Sequence, residues 1–129
     1  MTYQFKIPFR LPTANEYINA CRYRFGKNDK GNILKHDTED RIKLLLISYK
    51  ATHRIEKITK PIRIVFEWHY NTRHDLDNIA FGKKFVLDAL QKASILPNDN
   101  QKWVKGFTDV FVKDKDNFVL VTVAGIKKD

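Results

Sequence analysis

One run of residues, Ile62–Tyr70, constrains the fold of this chain more than any other segment. It is rich in β-branched and aromatic side chains, which pack well on the pleated surface of a sheet. Pro61 directly before it forbids a helix from running into the segment. We therefore expect Ile62–Tyr70 to be a central strand.

The segments before this strand show two different hydrophobic periods. Residues 3–9 place an aromatic or apolar residue at every second position, which predicts a half-buried first strand. Apolar residues then recur at helical spacing over 42–49, so one face of a helix should pack on the core. We expect Asp37 or Thr38 to cap the start of this helix, because their side-chain oxygens can accept bonds from its first free N–H groups.

The segments after the central strand predict one more helix and two more strands. The helix should begin at Asp77 or Asn78 and run to about residue 93, since apolar residues recur there at helical spacing. Residues 106–112 and 118–123 are expected to pair as a hairpin, closed by the polar residues between them.

The order of these elements predicts a single α/β domain over 1–129, with a mixed sheet of about four strands and two main helices, β-α-β-α-β-β. A chain of 129 residues has the usual length of one domain. No linker composition and no internal repeat divides it. Residues 15–36 are basic, and their second half is rich in Gly and Asn, so we expect a mobile basic segment there.

The charge of the chain favours a polyanionic partner. Its 24 Lys and Arg residues outnumber 15 Asp and Glu residues and give a formal net charge of +9. Such an excess attracts phosphate polymers, and the attraction should weaken as the salt concentration rises. Ribosomal, membrane-surface and merely soluble proteins share this composition, so charge alone does not identify nucleic acid as the partner.

The sequence also indicates where the protein resides. Cys21 is the only cysteine, which excludes an internal disulfide and fits a reducing compartment. No apolar run approaches the ~20 residues needed to cross a bilayer. The N-terminus lacks the apolar stretch of a signal peptide. We expect a cytoplasmic protein that has no contact with a membrane.

Three carboxylates are the candidates for chemistry. Asp75 and Asp77 are two residues apart after the central strand, so on extended backbone both can face one point. Asp99 follows one helix later in a turn that could bring it partly back. Hard divalent cations such as Mg²⁺ prefer oxygen ligands. Two simpler explanations stay open: Asp75 and Asp77 as helix caps, and Asp99 as an ordinary turn residue.

A lysine can accompany these acids. On one continuous helix, Lys84 would share a face with Asp77 and could neutralise charge that develops on a phosphate. Lys83 would project about 100° away from that face. The simpler explanation of Lys84 is an ion pair with Asp88, four residues later. The histidines lack the paired spacing of zinc ligands, and no glycine-rich phosphate loop is present.

Taken together, these stretches resemble the RusA family of Holliday-junction resolvases, endodeoxyribonucleases typical of phages and prophages. The resemblance covers most of the chain and rests on residues 11–17 (Leu-Pro-Thr-Ala-Asn-Glu-Tyr), 75–78 (Asp-Leu-Asp-Asn), 84–90 (Lys-Phe-Val-Leu-Asp-Ala-Leu) and 98–99 (Asn-Asp). It implies a homodimer that depends on Mg²⁺, for which Mn²⁺ can substitute, and that cuts paired strands of a four-way DNA junction. It implies no small-molecule cofactor.

The resemblance also assigns roles to individual residues. Asp75, Asp77 and Asp99 match the catalytic, metal-holding carboxylates, and Lys84 matches the catalytic lysine. The segment between Asn78 and Lys84 is about one helical turn longer than in the common form of the family, so Lys83 competes with Lys84 for that role. The residues expected to contact DNA are Asn15, Tyr17, Arg22, Arg24, Lys27, Arg73, His74, Asn78 and Lys83, with His74 standing where the family usually has an arginine.

The sequence thus leads to a Mg²⁺-dependent junction-resolving nuclease of DNA recombination and repair as the working hypothesis. Two alternatives remain open. A non-catalytic basic DNA-binding protein would use the two acids only as helix caps. A nuclease for flaps or other branched DNA would share the chemistry, because selectivity for DNA shape depends on the geometry of the dimer.

Overall fold

The computed structural model describes residues 2–22, 24–25, 28–53 and 55–126, of which 24, 25 and 28 are described by their backbone alone. The described residues form a single α/β domain with a four-stranded mixed sheet in the order β1-β6-β4-β5 and a separate two-stranded ribbon of β2 and β3. In chain order the elements are β1 (Thr2–Ile7), α1 (Ala14–Cys21), β2 (Arg24–Phe25), β3 (Asn28–Asp29), α2 (Lys30–Thr52), β4 (Ile62–Tyr70), α3 (Leu76–Ala80), α4 (Lys83–Lys92), β5 (Val104–Lys113) and β6 (Phe118–Gly125).

The expected central strand is confirmed. β4 pairs with β5 in parallel on one side and with β6 in antiparallel on the other, and β6 in turn pairs with β1. Alternate residues of β4 are buried: Ile62, Ile64, Phe66 and Trp68. The core is built on this face of β4, against which buried residues of α2 and α4 also pack.

The expected hairpin is wrong, although both of its strands exist. β5 and β6 do not pair with each other, because β4 lies between them in the sheet. The polar residues 114–117 therefore cross the carboxyl end of β4, where the Asp114 amide donates to the Tyr70 carbonyl oxygen at 2.8 Å. Asn71 and Asn117 fasten this crossing, since the Asn117 side-chain amide donates to the Asn71 side chain at 2.7 Å. β4 takes the central position because a strand paired on both sides buries its apolar residues better than an edge strand does.

The helix expected to start at Asp37 or Thr38 begins earlier. α2 starts at Lys30, and Asp29 caps it by accepting a bond from the Asn32 amide at 3.1 Å. Thr38 lies inside the helix and is therefore not its N-cap residue. Its hydroxyl donates to the Leu34 carbonyl oxygen at 2.7 Å. The apolar face expected over 42–49 is confirmed, because Ile42 and Leu46 are fully buried.

The segment expected to be a mobile basic stretch contains regular structure. α1 occupies its first part, α2 its last part, and β2 and β3 lie between them. Thr13 and Glu16 form a capping box at the start of α1, in which each side chain bonds to the backbone N–H of the other residue. Arg10 also donates to both carboxylate oxygens of Glu16, and this hydrogen bonding lowers the pKa of Glu16 to about 2.

The expected second helix is broken in two. α3 and α4 are separated at Phe81 and Gly82, so the chain has three helices of at least eight residues and one single-turn helix in its described part. The amides of Gly82, Lys84 and Phe85 each bond to the carbonyl three residues earlier, at 3.1 to 3.2 Å. Hydrogen bonds of this type reduce the helix to about three residues per turn and so change which side chains share a face.

Gly82 sits where no side chain fits. A Cβ added there would lie 2.9 Å from Leu11 Cβ and 3.2 Å from Trp68 Cζ3, in the space between the N-terminal segment and the central strand. The break between α3 and α4 therefore packs directly against the core. No helix in the part of the chain that the structure describes is long and apolar enough to cross a membrane.

We expect Gly82→Ala to lower the free energy of unfolding by about 1–3 kcal/mol, because its methyl group overpacks the contact between Leu11 and Trp68. Gly106→Ala is the matched control. Its Cβ would meet only the guanidinium of Arg63, at 2.7 Å, and a flexible side chain can move away. Urea denaturation measures both. Equal stability of the two variants would contradict the tight packing at Gly82.

Candidate functional site

The candidate site begins where the central strand ends. Asp75 lies beyond the carboxyl end of β4 as the N-cap residue of α3, with extended backbone, and Asp77 lies in the first turn of that helix. Both side chains are exposed. The carboxyl ends of parallel strands are where α/β sheets usually bind ligands, because the chain leaves the sheet there and its backbone and side chains are free.

The capping explanation of these two acids is not supported. The Asp75 side chain makes no capping hydrogen bond to α3, although its position would allow one. Within the described residues, neither carboxylate has a hydrogen bond or an ion pair. Two neighbouring carboxylates that lack protein partners create a local negative potential, which a cation would relieve.

The turn explanation of Asp99 is not supported either. Its neighbours provide the side-chain bonds of the turn: Asn98 accepts from the Asn100 amide at 3.1 Å, and Asn100 accepts from the Lys102 amide at 3.1 Å. The Asp99 side chain is exposed and has no hydrogen bond among the described residues. It therefore contributes no visible bond to the turn that carries it.

The structure does not bring Asp99 to the other two acids within one chain. Asp99 precedes the amino end of β5, whose first residue Val104 pairs with Ile62, the first residue of β4. Asp75 follows the last residue of β4, so along the chain the two acids lie beyond opposite ends of a strand pair that is roughly 26 Å long. Accordingly, no three acidic, histidine or cysteine side chains of the described residues are grouped closely enough to hold a metal ion.

A concave surface does collect several of the expected residues. Asp77, Asn78, Lys83 and Lys84 line it together with an unexpected fifth, Asp109 of β5. The remaining lining is apolar: Ala14, Leu76, Ala80, Phe81 and Phe111. Ala14 belongs to the N-terminal motif, so residues 11–17 also contribute to this surface. We call it the β4–β5 concavity.

Sequence reasoning missed Asp109. Phe66 of β4 pairs with it across the parallel ladder, which turns its side chain toward the helix-covered face of the sheet. There its carboxylate accepts from the Trp68 indole N–H at 2.9 Å and from Lys83 Nζ at 2.6 Å. A single acid in a strand that was expected to form a hairpin with residues 118–123 gave no signal, because the pairing of β5 with β4 was not predicted.

The two adjacent lysines have different environments. Lys83 is 24% exposed and lies above the Phe66 and Phe107 rings, with Nζ 5.7 and 5.2 Å from the ring centres. Lys84 is 52% exposed, and its Nζ is 3.8 Å from Asp88, the pairing that the simpler explanation predicted. The break between α3 and α4 thus leaves Lys83 as the more enclosed of the two cations.

The residues expected to contact DNA are distributed around this end of the domain. Asn15 and Arg22 are exposed on and after α1, whereas the Tyr17 ring packs against Phe81 and Phe85 at 5.7 and 5.8 Å. Tyr17 therefore holds α1 against α3 and α4. The Arg24 side chain and all of Lys27 lie outside the described residues.

The loop between β4 and α3 carries the last two expected DNA contacts. Arg73 is exposed, and His74 is half-buried with its Nδ1 atom enclosed and without a hydrogen-bond partner among the described residues. The loop is anchored at its start by the crossing segment 114–117. Next to that crossing, His69 bonds to Glu67 at 2.6 Å and to Asp114 at 2.9 Å, and the His69 contact lowers the pKa of Asp114.

The chain matches no model of a known protein family and no curated protein.

The free state of Asp75 gives a direct test of the capping explanation. We expect Asp75→Ala to change the free energy of unfolding by less than about 0.5 kcal/mol, because no capping bond is lost. Asp29→Ala is the matched comparison at the start of α2, where a bond is lost, and should lower it by about 1 kcal/mol. Urea denaturation of both variants decides. A loss at Asp75 as large as that at Asp29 would restore the capping explanation.

Proposed function

We propose that this protein is a Mg²⁺-dependent endodeoxyribonuclease of the RusA kind, which resolves four-way DNA junctions in recombination and repair in the cytoplasm. One observation carries the proposal: Asp75 and Asp77 are exposed carboxylates without protein partners, beside the β4–β5 concavity that also holds two lysines. A chain with a net charge of +9 has many cations with which to neutralise two acids, yet these two stay free.

The donor set fits a hard divalent cation. Asp75 and Asp77 offer carboxylate oxygens at the start of α3, and Mg²⁺ is commonly held by one or two carboxylates together with substrate phosphate and water. When bound, such an ion supplies Lewis acidity and a water of lowered pKa for attack on phosphorus. Mn²⁺ prefers similar oxygen ligands and should substitute.

The lysines of the β4–β5 concavity would bind the scissile phosphate. Lys83 and Lys84 lie on the same surface as Asp77, so an ammonium group can neutralise the charge that develops on a phosphate held there. Arg73 is exposed on the loop that leads to Asp75, where it can contact an adjacent phosphate. Asn15 and Arg22, which are exposed on and directly after α1, are further candidate DNA contacts.

A homodimer explains how Asp99 can take part. Asp99 precedes the amino end of β5 and Asp75 follows the carboxyl end of β4, so we propose that Asp99 joins the site from a second copy of the chain. An isologous dimer would exchange this residue in both directions and present one site to each cut strand of a junction with two-fold symmetry. Phe107 and Val110, exposed on edge strand β5, are apolar residues that such an interface could cover.

The alternatives predict different behaviour. A non-catalytic DNA-binding protein would bind DNA in a salt-sensitive way without Mg²⁺-dependent cleavage, and loss of a negative charge at Asp75 would leave binding intact or improve it. A flap or other branched-DNA nuclease would cleave, but would prefer those substrates to a four-way junction.

We expect the wild-type protein to nick a mobile four-way junction in Mg²⁺ and to leave a linear duplex of the same sequence intact. Asp75→Asn should lower the nicking rate by at least roughly 100-fold, because it replaces a negatively charged carboxylate ligand of the metal by a neutral amide. Denaturing gels of labelled strands, with Mg²⁺ or with EDTA, measure this.

Asp37→Asn is the control with the same change of charge, on an exposed position of α2. It should cleave as the wild type does. Binding without cleavage in Mg²⁺ would favour the non-catalytic alternative, and faster cleavage of a flap than of the junction would favour the branched-DNA nuclease.

The dimer makes a sharper prediction about mixtures. Asp75→Asn and Asp99→Asn should each be inactive alone, but a mixture that exchanges subunits should regain nicking. In a mixed dimer, one of the two sites receives an intact Asp75 from one chain and an intact Asp99 from the other. If both acids acted within one chain, every site in the mixture would lack one of them and no nicking would return.

A further inference from the structure

Asp109 is the one acid of the β4–β5 concavity to which the sequence assigned no role. It projects from the middle of edge strand β5 and accepts hydrogen bonds from two neighbours at once, the Trp68 indole N–H and Lys83 Nζ. Trp68 is almost fully buried in the central strand, so its N–H group is a fixed donor. The Asp109 carboxylate is therefore held in one orientation by the core.

This carboxylate fixes the lysine in turn. Lys83 Nζ is 2.6 Å from Asp109 Oδ2, and both side chains are 24% exposed. The Phe66 and Phe107 rings lie near the ammonium group and restrict where the flexible stem can place it. An ammonium group has three N–H donors, of which the contact to Asp109 uses one. The others remain available to an oxygen anion.

Lys84 has no comparable support. Its side chain is more than half exposed, and its nearest acid, Asp88, is 3.8 Å away and is also within 4.0 Å of Lys35. An exposed lysine held this loosely keeps most of its rotamer freedom, which makes it a weak positioned cation. Both lysines line the same surface, so they differ in how firmly each is placed.

We infer that Asp109 is a positioning residue, which holds the Lys83 ammonium group over the β4–β5 concavity so that Lys83 is the cation that meets the scissile phosphate. This inference rests on the proposed nuclease function and deepens it. A fixed cation loses no orientation during the reaction, and misplacement of a reacting group by about 1 Å can reduce a rate by about 100-fold.

The test uses single-turnover nicking of the junction at saturating protein, with junction binding measured separately in Ca²⁺. We expect Lys83→Gln to lower the nicking rate by roughly 100-fold and Asp109→Asn by roughly 10- to 100-fold, each with little change in binding. Asp109→Glu should recover part of the rate, because it retains the carboxylate.

A double-mutant cycle separates positioning from a purely structural ion pair. The variant carrying both Lys83→Gln and Asp109→Asn should be no slower than Lys83→Gln alone, because Asp109 acts through Lys83. Lys84→Gln should instead weaken junction binding and reduce the salt dependence of that binding. The effect of Lys84→Gln on the nicking rate should add to that of Asp109→Asn. A structural ion pair would give coupling in urea denaturation but additive effects on the rate of the folded protein.

The outcomes distinguish this inference from the function on which it rests. If the wild type nicks junctions, Asp75→Asn does not, and Asp109→Asn nicks at the wild-type rate, the inference is overturned and the nuclease stands. If the wild type nicks no DNA, both are overturned. Should Asp109→Asn fail to fold, Lys83→Gln decides, since it leaves the bond between Asp109 and Trp68 in place: a wild-type rate would contradict the inference.

Discussion

The position of β4 between β5 and β6 determines how the chain connects its strands around the candidate site. β4 pairs along its whole length with a parallel neighbour and an antiparallel one, and its buried face carries the largest side chains of the core. The parallel pairing requires a helical crossover, which α3 and α4 provide. The antiparallel pairing requires residues 114–117 to cross the end of β4. Both connections thus pass the carboxyl end of β4, beyond which Asp75 lies.

The same pairing distributes the acids. Because β4 and β5 are parallel, the crossover between them returns the chain to the amino end of β4. Residues just before β5 therefore lie far from residues just after β4. Asp99 and Asp75 are separated for that reason, and the separation leads to a proposed site that two chains share. Asp109 lies part of the way along β5 and so comes into the concavity with Asp77.

The distribution of ion pairs distinguishes structural from available charge. Glu16 is bonded by Arg10, Asp109 by Lys83, and Asp88 lies near Lys84. The free carboxylates of Asp75 and Asp77 contrast with these pairs, although both lie within four residues of Arg73 in a basic chain. Leaving two acids unpaired gives up little stability at an exposed site, where an ion pair contributes about 0–1 kcal/mol. It leaves their oxygens available to a ligand.

The sequence alone was enough to indicate the four strands of the main sheet, the central position of Ile62–Tyr70 and the buried face of α2, because local composition and hydrophobic period signal each of them. It did not indicate α1, the ribbon of β2 and β3, or the division between α3 and α4. It also identified the acids and lysines as candidates. Only the tertiary structure decided which strand pairs with which, since two strands joined by a short polar loop carry no local signal against forming a hairpin. It likewise decided that Lys83 is the enclosed lysine. The tight turn at Gly82 packs closely against Leu11 and Trp68, residues distant in sequence, and no periodicity within 77–93 could reveal this contact.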